Sequence, residues 1–173
     1  MAILAVRQII SEEEIRRRVA ELAAQIQTDL SSPLSVIVVL KGAFMFAADL
    51  VRHLEGDIFL DFATMSSYRG QSTSPGGLQL LKDVDLPILG HDVLIIEDIV
   101  DTGHTLSYLQ DRFRTRGSRL LRTACLLSKP HRRQVDVTLD YVGFTIDDLF
   151  VVGYGLDYDG RYRHLPYIAT LGE

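Results

Sequence analysis

The chain has 173 residues, of which 47% are hydrophobic and 24% charged, and its formal net charge is −5. These values are ordinary for a globular protein and predict one domain with a core that needs no disulfide. The acidic balance argues against a protein that binds nucleic acid over its whole surface. No stretch approaches the ~18–20 apolar residues of a membrane helix, and the N-terminus lacks the pattern of a signal peptide, so we expect a cytoplasmic protein.

Strand and helix patterns alternate along the chain. Ser11 and Glu14 form the pattern of a capping box at a helix start, and the β-branched run 35–40 is typical of a strand buried on both faces. The predicted helices cover residues 11–30, 44–54 and 105–116. The predicted strands cover residues 35–40, 58–65, 93–96, 120–127, 141–146 and 150–156. Buried strands that alternate with helices predict an α/β fold with a parallel sheet and right-handed crossovers.

Other features of the chain have plain structural interpretations. Cys125 stands in an apolar run, so we interpret it as inert packing. The polar, glycine-rich stretch 69–77 predicts a mobile loop. Three basic clusters are each interpreted as a solvated face or a subunit contact. These clusters are Arg16–Arg18, the set Arg112, Arg114, Arg116, Arg119 and Arg122, and His131–Arg133.

The most informative segment is residues 92–106, which read DVLIIEDIVDTGHTL. A buried strand is predicted to end in the adjacent carboxylates Glu97 and Asp98, and a turn with Gly103 then precedes a helix. Ligands of open α/β sheets bind at this edge, outside the carboxyl ends of the strands. Backbone N–H groups of residues 101–105 can cradle a phosphate at the helix start. The carboxylates can accept sugar hydroxyls or hold a hard divalent cation.

Two residue types within this loop refine the prediction. The hydroxyls of Thr102 and Thr105 can add to the phosphate cradle. Asp101 is unusual beside a phosphate, because a carboxylate and a phosphate repel each other. We therefore expect Asp101 to handle a proton.

The segment resembles the phosphoribosyl-pyrophosphate motif of the type I phosphoribosyltransferases. The pattern Glu97-Asp98-x-x-Asp101-Thr102-Gly103-x-Thr105 is similar to the hypoxanthine-guanine version of that motif. The residue at position 101 distinguishes the branches of the family, because adenine enzymes have a small residue there and the pyrimidine-operon regulator has a tyrosine. The resemblance implies one domain over residues 1–173, with a parallel-sheet core and helices on both faces. It also implies a hood of N- and C-terminal segments, the latter about 141–173, and a mobile flap over about 66–77.

The resemblance extends over most of the chain and implies further site residues. Lys41 and Gly42 are similar to the family's pyrophosphate loop, in which a cis peptide precedes the lysine. Ser67 and Tyr68 correspond to the start of the flap. Lys129 corresponds to a lysine that donates a hydrogen bond to the purine 6-oxygen.

The C-terminal part of the chain carries the remaining resemblance. Phe150 would cover the purine ring, the Val151 backbone would meet the base, and Asp157 would be linked to the metal. Arg163 corresponds to an arginine that contacts pyrophosphate. His104 differs from the basic residue found in some relatives, but its implied contribution is a backbone N–H.

Together these residues imply a purine-salvage transferase. Such an enzyme moves the phosphoribosyl group of 5-phosphoribosyl 1-pyrophosphate to N9 of hypoxanthine or guanine and releases pyrophosphate. Mg²⁺ would be held by Glu97, Asp98 and Asp157, and the chain would form a homodimer or homotetramer. Asp101 would be the general base. Lys129 would select a 6-oxopurine, because a 6-amino group on the purine would place one hydrogen-bond donor against another. The choice among hypoxanthine, guanine and xanthine stays open.

Other classes of protein fit the chain less well. A signalling receiver domain needs further strands between its acidic pair and its Lys-Pro, whereas one helix and one strand are predicted between Asp98 and Lys129. An RNA-binding attenuation regulator with the same fold is opposed by Asp101 and by the acidic balance. The dinucleotide pattern GxGxxG and the P-loop pattern GxxxxGK[ST] do not occur.

Overall fold

The computed structural model describes residues 6–67 and 78–172. The helices are α1 (Glu12–Asp29), α2 (Phe44–Val51) and α3 (His104–Thr115), and a 3₁₀ turn covers Pro130–Arg132. The strands are β1 (Val6–Ile10), β2 (Leu34–Leu40), β3 (Ile58–Ser67), β4 (Leu78–Lys82), β5 (Asp92–Val100), β6 (Leu120–Ser128), β7 (Tyr141–Thr145), β8 (Val151–Val152) and β9 (Ile168–Leu171). The predicted loop 69–77 lies outside the described residues.

The larger sheet has the order β4-β3-β2-β5-β6-β7 within the described residues. Strands β3, β2, β5, β6 and β7 are mutually parallel, as predicted, whereas β4 is antiparallel at one edge. The central strands β2 and β5 are almost wholly buried. Because the parallel strands all run one way, their carboxyl ends meet at one edge of the sheet.

Helices cover both faces of this sheet, because successive residues of a strand point to opposite sides. Val36, Val38 and Leu94 belong to the core under α1 and α2. Ile37 and Ile95 belong to the second core, under α3. The continuous apolar runs in the sequence are thus explained by burial on both faces.

Helix α1 begins at the predicted capping box. The Ser11 hydroxyl accepts from the Glu14 amide at 3.2 Å, and the Glu14 carboxylate accepts from the Ser11 amide at 2.8 Å. Farther along α1, Arg18 donates to the carbonyl oxygens of Gly143 at 2.9 Å and Val142 at 2.7 Å. Both carbonyls belong to β7, the edge strand, so α1 is tied to the margin of the sheet.

The smaller sheet joins the two ends of the chain. Its order is β1-β9-β8, and all its pairs are antiparallel. This sheet matches the hood that the resemblance implies. It lies beside the carboxyl edge of the larger sheet, because β8 follows β7 after a few residues.

Several predicted boundaries were wrong. Helix α2 ends at Val51 rather than at residue 54. The strand predicted over 150–156 is limited to Val151–Val152, because Gly153 and Gly155 have φ of 98° and 99° and turn the chain. Strands β1, β4 and β9 were not assigned from the sequence. No helix among the described residues is long and apolar enough to cross a membrane.

The predictions for isolated polar residues had mixed outcomes. Cys125 is buried, and burial raises the pKa of its thiol to about 12, which confirms its interpretation as inert packing. The basic cluster on α3 and β6 is not simply a solvated face. Arg112 and Arg116 pair with Asp83, Arg119 pairs with Asp92, and Arg122 pairs with Asp140.

Candidate active site

Three neighbouring parallel strands bring most of the predicted residues to one edge of the sheet. Lys41 follows β2, the acidic pair lies near the end of β5, and Lys129 follows β6. The Lys129 amide donates to the Val100 carbonyl at 3.0 Å, so the ends of β5 and β6 are adjacent. The Leu40–Lys41 peptide bond is cis, as the resemblance implied.

The loop between β5 and α3 presents its amides to one side because its carbonyl groups are bound on the other. The Thr102 carbonyl accepts from the amides of Gln134 at 3.0 Å and Val135 at 3.2 Å. Arg133 donates to the carbonyls of Asp101 at 3.1 Å and Val100 at 3.3 Å. Glu97 and residues 101–103 and 105 line a cavity of about 90 Å³ at this loop.

Gly103 completes this loop as the N-cap of α3, with φ of 91° and no side-chain cap. A left-handed conformation costs little for glycine. The first amides of α3 therefore have no capping side chain, and they are the groups that bind anions at a helix start. His104, the first residue of the helix, directs its ring to Gln134 at 3.2 Å, so its backbone rather than its side chain faces the loop.

Two glycines let three loops meet around Asp98. A Cβ at Gly42 would overlap the Asp98 carboxylate, and a Cβ at Gly155 would overlap the Gly42 carbonyl oxygen. With no side chain at positions 42 and 155, the loop after β2 can touch both the Asp98 carboxylate of β5 and the segment after β8. This close packing explains why Gly42 and Gly155 stand where they do.

The acidic pair is buried at the base of the site. Glu97 is 7% exposed, and burial, followed by the adjacent Asp98 carboxylate, raises its pKa. Burial also raises the pKa of Asp98, although hydrogen bonds and the Arg163 charge act in the opposite direction. Two adjacent carboxylates with such unfavourable desolvation need hydroxyl donors or a cation.

The third predicted metal ligand, Asp157, is paired with Arg163. Their side chains are 2.7 Å apart, and Arg163 also donates to the Gly155 carbonyl at 2.6 Å. Among the described residues, no group of three or more acidic, histidine or cysteine side chains is arranged to hold a metal. Mg²⁺ usually takes one or two protein carboxylates with waters and substrate phosphates, so the pair Glu97 and Asp98 fits that ion.

Aromatic and charged side chains occupy the neighbouring part of the site, after β6 and before β8. Phe150 is 59% exposed and makes an edge-to-face contact with Tyr158 at 5.7 Å between ring centroids. Val151 is buried in β8. Lys129 is buried, and its ammonium group lies 3.6 Å from the Asp148 carboxylate. Lys129 pairs with Asp148, two residues before Phe150, and an exposed ring and a buried cation on such neighbouring segments are suited to a flat ligand with an oxygen acceptor.

Sequence reasoning missed two arginines and one aspartate of this site. Arg132 donates to Asp101 at 3.0 Å and to Asp148 at 3.2 Å, and Arg133 binds the loop carbonyls. Both arginines of the cluster His131–Arg133 therefore have partners within the chain, which their interpretation as a solvated face or subunit contact did not include. A basic cluster that begins two residues after Lys129, just beyond a strand end, was the available signal.

The described residues of the predicted site are thus gathered at one edge, from Lys41 to Arg163. Ser67 ends β3, but nothing is described of its side chain, and Tyr68 and flap residues 68–77 lie outside the described residues. The arrangement defines an α/β protein that places an anion-binding loop beside paired carboxylates and an exposed aromatic ring. Such a site suits a phosphorylated sugar and a heterocyclic base.

Comparisons with known proteins agree with this class. A family model, the phosphoribosyl transferase domain, matches residues 5–159. The hypoxanthine-guanine phosphoribosyltransferase of Bacillus subtilis is 46% identical over 164 residues, which cover 94% of this chain and 91% of that protein. The hypoxanthine phosphoribosyltransferase of Escherichia coli is 46% identical over 166 residues, which cover 94% of this chain and 93% of that protein.

Solved structures give the same result. A crystal structure of a hypoxanthine-guanine phosphoribosyltransferase from Bacillus anthracis, with a HEPES molecule in its active site, has a TM-score of 0.92 and 46% identity, and covers 98% of this chain and 100% of that chain. The chain belongs to the phosphoribosyltransferase family. The predicted family, fold class and enzyme class are confirmed.

Proposed function

We propose that the protein is a purine-salvage enzyme that transfers the phosphoribosyl group of 5-phosphoribosyl 1-pyrophosphate to N9 of hypoxanthine or guanine. The observation that carries this proposal is the adjacency of the anion-binding loop after β5 and the buried Lys129 after β6, at the ends of two hydrogen-bonded strands. The relative from B. subtilis is named for hypoxanthine and guanine and the relative from E. coli for hypoxanthine, which supports a 6-oxopurine as the acceptor.

The sugar phosphate is assigned to the end of the site built by β5. The amides of residues 101–105, with the hydroxyls of Thr102 and Thr105, bind the phosphate group. Glu97 and Asp98 accept hydrogen bonds from the ribose hydroxyls, which offsets part of the cost of burying two carboxylates. These contacts orient C1 of the ribose toward the base.

The departing pyrophosphate is assigned to two cations from neighbouring loops. Lys41 is exposed in the loop after β2, and Arg163 lies beside Asp157. Their charges stabilise the negative charge that develops as the bond between C1 and the pyrophosphate oxygen breaks. Mg²⁺, when bound with the substrate, would neutralise further pyrophosphate charge, with Glu97, Asp98 and Asp157 as its candidate protein partners.

The purine is assigned to the end of the site built by β6 and β8. Phe150 covers the ring, the Val151 backbone meets its edge, and Lys129 donates to the 6-oxygen. Asp101 takes the proton from the imidazole edge while N9 forms its bond to C1. The proton lost by the base is thus held by the Asp101 carboxylate.

Further parts of the proposal concern the whole molecule. We assign residues 1–173 to one catalytic domain, with a hood segment about 141–173 and a flap about 66–77 that excludes water during the reaction. We also expect a cytoplasmic homodimer or homotetramer that binds no nucleic acid. Size-exclusion chromatography with light scattering tests the assembly.

A pyrophosphate-release assay with four purines tests the proposed function. With phosphoribosyl pyrophosphate and Mg²⁺, we expect turnover of hypoxanthine, guanine or both, and essentially none of adenine. The rate with xanthine shows which substituents the site accepts at the purine 2-position. Efficient use of adenine would contradict the assignment of Lys129. RNA binding without turnover of any purine would instead favour the attenuation regulator.

A further inference from the structure

Four charged side chains form a continuous chain of ion pairs at the base end of the site. Asp101 accepts from Arg132 at 3.0 Å, Arg132 reaches Asp148 at 3.2 Å, and Asp148 lies 3.6 Å from Lys129. The two outer members are the proposed general base and the proposed selector of the 6-oxygen. The two inner members have no role in the function proposed above.

We infer that Arg132 and Asp148 are positioning residues that separate Asp101 from Lys129 and orient both toward the purine. This inference rests on the proposed function, because it assigns Asp101 and Lys129 to the same base. It adds two residues, one from the 3₁₀ turn after β6 and one from the segment before β8, to those that determine turnover.

The physical reason is that Asp101 and Lys129 would otherwise neutralise each other. They follow neighbouring parallel strands, and the Lys129 amide is bonded to the residue before Asp101. Opposite charges placed so close normally pair directly. Among the described residues, however, Lys129 pairs with Asp148 and Asp101 pairs with Arg132. Each group therefore has a partner of its own, and the two ion pairs stand between Asp101 and Lys129.

Arginine is suited to hold a general base. A guanidinium stays protonated at all working pH values, so it orients the Asp101 carboxylate without competing for the transferred proton. A lysine in contact with Asp101 would lack the fork geometry. The rigid turn also matters, because Pro130 follows Lys129 and the Arg132 amide bonds back to the Lys129 carbonyl at 3.1 Å.

Stability alone does not account for these four charges. The side chains of Arg132 and Asp148 are 47% and 54% exposed, and ion pairs of such exposure contribute little to the stability of a fold. Their replacement should therefore leave the fold intact. The pairs join three separate segments, the β5–α3 loop, the turn after β6 and the segment before Phe150, which together surround the proposed base site.

The test is a pair of double-mutant cycles on the full-length protein. Arg132→Gln should lower kcat with hypoxanthine about 10-fold, and Asp148→Asn should raise the KM for hypoxanthine about 5-fold, with the KM for phosphoribosyl pyrophosphate unchanged. In an Asp101→Asn background, Arg132→Gln should have almost no further effect. In a Lys129→Gln background, the same should hold for Asp148→Asn.

Matched controls separate positioning from general damage. Arg114 and Asp111 form an exposed ion pair on α3, so Arg114→Gln and Asp111→Asn should leave both kinetic parameters unchanged. Equal effects of Arg132→Gln with and without Asp101 would overturn the inference, as would variants indistinguishable from the unmodified protein. An unmodified protein that turns over no 6-oxopurine would overturn the proposed function and this inference together.

Discussion

The two ends of the site are built from different kinds of chemical group. The phosphate end consists of backbone amides, glycines in close contact and two buried carboxylates, all held by the ends of central strands. The base end consists mainly of side chains, several of them half exposed, held by ion pairs between segments. Substitutions alter the binding groups of a main-chain cradle little, whereas a side-chain network can be altered by substituting one residue at a time.

The two ends therefore recognise their ligands by different means. A phosphorylated sugar is recognised by groups that every residue type supplies, so that part depends on conformation. A base is recognised by particular donors and rings, so that part depends on residue identity. Substitutions at the phosphate end should therefore affect every purine equally, and substitutions at the base end should change the ranking of purines.

The largest effect is expected at Asp101, which lies where the two ends join. Asp101→Asn keeps the shape and removes the basicity, so kcat should fall roughly 10²–10⁴-fold with all purines. Binding of phosphoribosyl pyrophosphate should survive, because a repulsive charge is gone. Steady-state kinetics and calorimetric titration measure both quantities, and near-full turnover by the variant would refute its role as general base.

The next largest effect is expected at the glycine contact of the phosphate end. Gly155 has φ of +99°, and a Cβ there would overlap the Gly42 carbonyl, so Gly155→Ala should cost about 2–4 kcal/mol of unfolding free energy. Turnover should fall by the same factor with hypoxanthine and guanine. Denaturant unfolding and paired assays are the measurements.

Gly90→Ala is the matched control for that substitution. Gly90 has φ of +76°, but nothing lies within 4 Å of a Cβ there. Only the conformational cost of about 1–2 kcal/mol should appear, with unchanged kinetics. If both alanine variants behaved alike, the close contact around Gly42 would not be what the site requires.

A smaller and selective effect is expected at Lys129. Lys129→Gln replaces a buried cation by a neutral amide and should raise the KM for 6-oxopurines about 10- to 100-fold. The KM for phosphoribosyl pyrophosphate should not change, because among the described residues the Lys129 side chain pairs with Asp148 at the base end. Initial rates measured with each substrate varied in turn test this prediction. An equal rise in the KM values for the purine and for phosphoribosyl pyrophosphate would contradict the proposed difference between the two ends.

The smallest effect is expected at Arg133, whose side chain binds backbone carbonyl groups of the phosphate end. Arg133→Met removes the donors to the Val100 and Asp101 carbonyls and should raise the KM for phosphoribosyl pyrophosphate about 5- to 10-fold. The ratio of guanine to hypoxanthine efficiency should stay constant. A changed ratio would show that Arg133 belongs to the base end instead.

The sequence predicted the phosphate end better than the base end for a physical reason. Strand β5, the loop with Gly103 and helix α3 are consecutive in the chain, so their pattern is local and readable. The contact of Arg132 with Asp101 spans 31 residues, with helix α3 and strand β6 between them in the chain. A row of basic residues carries no mark of which partner it meets, and surface charge is its commonest explanation.

The hood was equally hard to place from sequence patterns alone. Strand β1 pairs with β9 through partners such as Val6 and Leu171, at opposite ends of the chain. Strand β8 has only two residues, too few for an alternation of polar and apolar side chains to appear. These strands exist because the partner edges are close in the fold, and short-range propensity contributes little to them.

The Arg18 contact has a consequence for the behaviour of the protein in concentrated solution. Strand β7 is an edge strand of the sheet formed by the described residues, and such an edge can recruit a strand from another molecule and begin aggregation. The guanidinium of Arg18 already occupies the Val142 and Gly143 carbonyl oxygens. An incoming strand would have to displace a charged helix side chain first. Helix α1 therefore protects the sheet against edge-to-edge association as well as packing on its face.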